Sequence, residues 1–245
     1  MTFRQAQAAF AQCPAVLLPV GSTEQHGPMG LIGTDAICAE AVAERAAELA
    51  GAVMLPVVAY TPAAFNMAFC GTVSVSPALF RDTVAAVVAA MAAHGVRGVY
   101  VVNGHGANLA PLAEVAGAAS ATVRVRSWWD FEAVSAIRKA RYGAWEGMHA
   151  TPSEVAMTMA VHGPLPVPPD ARTPPERLSE GFVEAHAGDR HGPPDEHRAR
   201  FPDGRVGSHS ALATEADGAA LLEAAADAVA ADFSAFADAL DEVRR

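Results

Sequence analysis

Cysteine is scarce in this sequence: Cys13, Cys38 and Cys70 are the whole set, and no two of them form a C-x-x-C pair. So odd and sparse a count excludes a disulfide framework and points to a reducing compartment. Basic residues are also in deficit, with a formal net charge of −10. A nucleic-acid role is therefore not expected, because gripping a phosphate backbone needs a basic face. The arginines between Arg190 and Arg205 are interleaved with Asp189, Asp195, Glu196 and Asp203, and the stretch reads as a solvated loop. No apolar run reaches the roughly 18 residues that a membrane helix requires, so no membrane partner is expected. The first fourteen residues lack a charged start followed by an apolar segment, and make a poor signal peptide. The expected location is the cytoplasm.

What is abundant is small and apolar. Hydrophobic residues make up 51% of the 245-residue chain, charged ones 18% and aromatic ones 7%. Such a chain can bury a large core, and its alanines and valines suit helices packed closely on a sheet. Residues 15–20 form a short continuous apolar run, as a buried parallel strand does. Residues 52–58, 71–75, 97–102 and 123–129 read as further strands. Helical patterns cover residues 35–49, 77–94, 109–121 and 154–161, with a last one from about 215 to 244. Alternation of strand and helix predicts βαβ units and a mainly parallel sheet. Nothing splits the chain, so residues 1–245 read as one domain. Residues 164–207 are Pro-rich and mostly loop; a segment of that length is expected to serve substrate or assembly.

Ligands of open parallel sheets sit at the carboxyl ends of the strands, and two polar motifs fall there. The first is Gly21-Ser-Thr-Glu24-Gln-His26-Gly-Pro28, leading to Gly33-Thr-Asp35. Glu24 and His26 are two apart, so on extended backbone they point the same way. Asp35 returns at the mouth of the next helix. Two carboxylates and an imidazole form a mixed oxygen and nitrogen donor set suited to zinc, manganese or iron. Aspartate can bridge two ions, and a hydroxide held by them is a nucleophile at neutral pH. The plainer reading leaves Glu24 and His26 exposed on a loop and makes Asp35 a helix cap.

The second motif is Asn103-Gly-His105-Gly-Ala-Asn108, directly after the clearest strand. Its glycines let backbone approach a ligand, although asparagines and glycines are also ordinary turn formers. A third constellation, Glu146-Gly-Met-His149-Ala-Thr-Pro-Ser-Glu154, offers His149 as a general acid or base. Glu154 is either a metal ligand or a first-turn carboxylate of a helix capped by Thr151 or Ser153.

Together these motifs resemble the creatininase (creatinine amidohydrolase) family. Its G-S-x-E-Q-H-G-P signature is met at residues 21–28, its following G-T-D at 33–35, and N-G-H-G-x-N at 103–108. H-A-G-x-x-E keeps its ends at His149-Ala150 and Glu154. Residues 69–72 and 213–218 match a Phe-x-Gly-Thr segment and an Ala-Thr-x-x-x-Gly segment. The resemblance implies a three-layer α/β/α sandwich with a mainly parallel central sheet. It makes Glu24, His26, Asp35, His105 and Glu154 ligands of divalent ions, two per chain, with Asp35 bridging. It gives His149 the part of proton shuttle beside Glu154, and implies a homo-oligomer, commonly a hexamer.

Several positions depart from the pattern. Ala107 stands where creatininase proper has a metal-binding Glu, a loss that Glu154 would make good. Met29 and Asn66 replace histidines, Cys70 replaces a proline, and Thr151 replaces a glycine. These changes bear on the substrate pocket, so creatinine is not carried over as substrate. The function expected is hydrolysis of a non-peptide C–N bond in a small cyclic amide or formamide by metal-bound hydroxide. A metallopeptidase acting on a short peptide and a non-catalytic metal-binding scaffold are the alternatives. The first predicts an open groove; the second needs no proton shuttle. A nucleotide-binding loop at 103–108 lacks both the Walker lysine and a G-x-G-x-x-G pattern. Of the adjacent Trp128 and Trp129, at most one is expected to face the site; Trp145 reads equally as a core or interface residue.

Overall fold

In a computed structural model that describes residues 1–242, the strands β1 (Ala15–Val20) and β3 (Gly98–Asn103) are buried along their whole length. Successive side chains on a strand point to opposite faces. Ala15 and Leu17 of β1, with Tyr100 and Val102 of β3, therefore feed one apolar cluster, while Val16, Leu18, Val99 and Val101 feed another. With β2 (Val53–Met54) and β4 (Thr122–Ser127) they form a sheet of order β2-β1-β3-β4, parallel throughout.

Helices cover both faces. On the first lie α2 (Thr34–Ala50), α5 (Glu132–Arg141), α6 (Pro152–His162) and the long α9 (Glu215–Glu242), contributing Val42, Val134, Met157, Val229 and Phe233 to the cluster. On the second lie α3 (Pro77–Ala93) and α4 (Leu109–Ala118), through Phe80, Val84, Leu112 and Val115. This is the expected three-layer α/β/α sandwich. A short helix, α1 (Phe3–Gln12), precedes β1 and is closed by a capping box of Thr2 and Gln5, in a stretch where the sequence reading placed no element.

Local differences from expectation have local causes. The strand expected at 52–58 is cut to two residues, because Pro56 has no N–H to give the ladder. The chain nevertheless follows β1, with Leu55 and Val58 donating to the carbonyls of Leu17 and Pro19. Residues 71–75 do not join the sheet. Val73 makes a single antiparallel bridge to Thr23 and so pins the first motif from outside. Residues 164–207 are less irregular than expected, since they carry α7 (Glu180–His186) and α8 (Pro194–Arg200). Seven-residue helices are too short for periodicity to reveal. The helix expected at 154–161 runs from Pro152 to His162, with Thr151 as its cap. The expected end of the last helix, residues 243–244, lies outside the described residues.

One close approach decides where α6 sits. A Cβ added at Gly218 of α9 would lie 1.8 Å from the Ala156 carbonyl oxygen of α6. Only glycine lets these two helices touch backbone to backbone, and α6 carries Glu154 in its first turn.

Candidate metal centre

The six residues singled out in the sequence meet at the carboxyl ends of β1 and β3. Glu24 and His26 follow β1, Asp35 lies in the first turn of α2, His105 follows β3, and His149 and Glu154 flank the start of α6. All six are buried: Glu24 and His26 are 0% exposed and Glu154 9%. They are not loop residues in solvent. Gly104 makes the meeting possible, for a Cβ there would lie 2.4 Å from the Asp35 carbonyl oxygen. Asn103 holds the turn by accepting from the His105 N–H at 3.2 Å and donating to the His105 carbonyl at 2.9 Å. Ala150 takes a left-handed φ of 54°. Such backbone is costly for a residue with a Cβ, and Ser210 Oγ braces it by donating to its carbonyl at 2.6 Å.

Each ligand-type histidine has one ring nitrogen tied to a backbone carbonyl. His26 Nδ1 reaches the Glu24 carbonyl at 3.3 Å, and His105 Nε2 reaches that of Pro62 at 2.7 Å. A carbonyl only accepts, so these nitrogens carry the protons of the neutral rings. The remaining nitrogens face carboxylates. His26 Nε2 is 2.9 Å from Asp35 Oδ1 and 3.9 Å from Glu154 Oε2. His105 Nδ1 is 3.2 Å from Asp35 Oδ2 and 3.4 Å from Glu24 Oε1. Backbone partners of this kind orient imidazoles toward metals.

Two groups of donor atoms, each within 4.8 Å of one another, result: Glu24, Asp35 and His105, and His26, Asp35 and Glu154. Asp35 belongs to both. Glu24, His26 and His149 make a third such group. Among the described residues, Glu24 Oε1, His26 Nε2 and Asp35 Oδ2 find no hydrogen-bond partner, though all three are buried. Buried polar atoms are normally satisfied, and donor atoms orphaned together in this way fit divalent metal.

The electrostatics of the protein atoms point the same way. Burial pushes the Glu24 carboxyl up to about 8, against the pull of His105. It also raises Glu154 to about 7, against His26. Burial opposes protonation of His26, yet the charge of the adjacent Asp35 carries it to about 10. His105 is likewise driven well up by Glu24 and Asp35 in spite of burial. Burial would raise Asp35, but His26 and His105 outweigh it and hold its carboxyl below the usual range. The cluster attracts positive charge strongly. His149 behaves oppositely: burial and then His26 hold it well below the ordinary histidine value. Its Nε2 reaches the Gln25 carbonyl at 2.8 Å, and its Nδ1 lies 3.4 Å from Glu24 Oε1.

A cavity of about 190 Å³ opens beside the cluster, bounded by His105, His149, Glu154, Trp129, Arg138 and Asp189 among others. Trp128 is buried in the core and Trp129 lines this cavity. They diverge because they lie in a tight helical turn after β4, not because they alternate along a strand. Trp145 does not line it and stacks under Arg177 instead. A larger hollow of about 360 Å³, between Pro175 and Gly207, holds none of the six residues.

Sequence reasoning gave no role to two contributors, Gln25 and Asp189, and marked a third, Asn66, only as the replacement of a histidine. Asn66 Nδ2 donates to Glu24 Oε2 at 3.1 Å. Gln25 Nε2 donates to Asn66 Oδ1 at 2.9 Å and to the Gly204 carbonyl at 3.0 Å, tying the first motif to the end of the 164–207 segment. Asp189, taken from the sequence as part of a solvated loop, stands 3.6 Å from His105 Nδ1. Gln25 lay inside the first motif; nothing in the sequence marked Asp189.

The family model described as creatinine amidohydrolase matches residues 1–233. The chain belongs to the creatininase family. The creatinine amidohydrolase of Pseudomonas putida is 29% identical over 185 residues, spanning 67% of this chain and 71% of that one. The mycofactocin precursor peptide peptidase of Mycolicibacterium smegmatis is 40% identical over 106 residues, less than half of either protein (41% and 42%). Among solved structures, the manganese form of creatininase superposes with a TM-score of 0.75 at 25% identity, covering 97% of this chain and 96% of that one. The protein is thus a creatininase-family hydrolase by descent, from a family whose members act on different bonds.

Proposed function

We propose that this creatininase-family protein hydrolyses a C–N bond of a small cyclic amide or formamide at a centre of two divalent ions. The observation that carries the reading is Asp35, shared by two buried triads of oxygen and nitrogen donors. Glu24, Asp35 and His105 would hold one ion; His26, Asp35 and Glu154 would hold the other. Zinc, manganese or iron suits such a set. When bound, the pair supplies a lowered pKa for water and polarisation of a carbonyl.

The chain's own residues supply the rest. Held neutral by its burial, His149 can take a proton at Nδ1 from the attacking water and pass it to the departing nitrogen. The Gln25 carbonyl fixes its ring through Nε2. Trp129 offers a flat apolar wall to a planar amide, and Arg138 a cation at the same cavity. A cavity of about 190 Å³ favours a small molecule over a peptide laid in a groove. Elemental analysis of wild type beside Asp35→Ala tests the centre: two ions per chain in wild type and loss of both in the variant support it. One ion per chain would require a mononuclear mechanism. A wild type that cannot be loaded would overturn the proposal.

A further inference from the structure

Residues 164–207 are anchored at their end, where the Gly204 carbonyl accepts from Gln25 and Val206 bridges to His149, and they reach the centre again, with a charged side chain, at residues 188–189. Gly188 and Asp189 both adopt left-handed backbone, with φ of 73° and 56°. That turn sends the Asp189 side chain inward, leaving it 11% exposed. Its Oδ2 accepts the Ala107 N–H at 2.9 Å and lies 3.6 Å from His105 Nδ1, the nitrogen that faces Glu24 and Asp35. Its Oδ1 is 3.6 Å from Nε2 of His191, whose ring is 1% exposed and whose two nitrogens have no hydrogen-bond partner among the described residues. Gly106 leaves room for the contact: a Cβ there would fall 2.4 Å from Oδ2. A strained, charged residue is thus inserted beside the Glu24–Asp35–His105 triad from a segment that otherwise covers the site.

Resting on the metal reading above, we propose that Asp189 is a positioning residue that couples closure of the 164–207 segment to occupancy of the ion held by Glu24, Asp35 and His105. Its carboxylate docks on the backbone of Ala107 and adds negative charge beside that ion. The ion in turn offsets the repulsion Asp189 meets from Glu24 and Asp35. Coupling of this kind is reciprocal: whatever factor closure adds to metal affinity, metal adds to closure.

The test is titration of chelator-stripped protein with Mn²⁺ alone, together with amide hydrogen exchange over residues 186–192 with and without the ion. Wild type should bind Mn²⁺ and gain protection in that stretch. Asp189→Asn, which keeps the shape and removes the charge, should weaken one ion by about 10-fold or more and lose the gain in protection. Gly106→Ala, which expels the carboxylate without deleting it, should do the same. Exchange in β1 and β3 reports whether each variant is folded. Unchanged affinity and retained protection in folded Asp189→Asn overturn the coupling alone. A wild type that takes up no Mn²⁺ overturns the metal reading and the coupling with it.

Discussion

At the scale of single residues, the centre is held by contacts that each do one thing. Pro62 and Glu24 carbonyls select the tautomers of His105 and His26, Asn66 turns the Glu24 carboxylate, and the Gln25 carbonyl holds His149. His149 is the member whose proposed role is proton transfer. Replacing it with Gln should leave the metal content at the wild-type level while turnover of a cleaved amide falls by about 10²- to 10⁴-fold. Elemental analysis and a rate measurement on one preparation decide this. Equal turnover would leave the metal-binding scaffold as the better reading. The replacement of a family glycine by Thr151 also has a visible consequence. Thr151 donates to Glu154 Oε2 from both its backbone nitrogen, at 2.9 Å, and its hydroxyl, at 2.8 Å, and so fixes that carboxylate before any ion arrives.

At the scale of elements, two packings set the geometry. The α6–α9 contact at Gly218 leaves no space for a methyl group against the Ala156 carbonyl. Gly218→Ala should destabilise the fold by about 1–3 kcal/mol through overpacking, read as a lower midpoint of thermal unfolding. Because Glu154 lies in the first turn of α6, the substitution should also weaken metal binding. The second packing is the 164–207 cover, whose His191 and His197 pack on Phe65, which itself packs against His105 and His149. Burial, and then the neighbouring His191, hold His197 down at about 4 from an ordinary 6.5. Between those values an opened segment binds a proton that the closed one does not. Closure should therefore lose stability as pH falls from about 6.5 to about 4, and lose no more from this group below that. Amide exchange over residues 180–200 at several pH values measures it; exchange free energies that do not change across this window would refute the assignment.

At the scale of the whole molecule, the sheet joins its two faces, and the candidate donors come from the segments after β1 and β3 and from the first turns of α2 and α6. Leu17 is fully buried beneath α2 and α9, so Leu17→Ala should cost about 2–5 kcal/mol. Metal should act in the opposite sense, because the donors converge only in the folded chain. At free metal about 100-fold above its dissociation constant, one ion adds about 2.7 kcal/mol. For a chain of this size that corresponds to a rise of about 5–11 °C in the unfolding midpoint. Calorimetry of loaded and chelator-treated protein gives the comparison. An identical midpoint in both would speak against ligation by these residues.

The apolar runs of β1 and β3 and the glycines beside Glu24 and His105 determined, by themselves, a parallel sheet with polar loops at its carboxyl ends. Burial and turn chemistry act locally, so they are written locally. The donor types Glu24, His26, Asp35, His105, His149 and Glu154 were legible for the same reason: each lies next to a strand end or a helix start that the pattern reveals. What the tertiary structure alone decided is the company these residues keep. Asp35 becomes common to two triads only when α2 is packed on β1 and β3. Asp189 is separated from His105 by more than eighty residues and sits among arginines and acids that read as solvated loop. It reaches the site because two left-handed residues turn it inward over a glycine. Contacts of that kind depend on where a remote segment comes to rest, and no local pattern encodes them. The same reason explains the strand expected at 71–75: its residues alternate as a strand should, but the fold brings them to Thr23, beyond the end of β1, where Val73 makes one antiparallel bridge and no ladder.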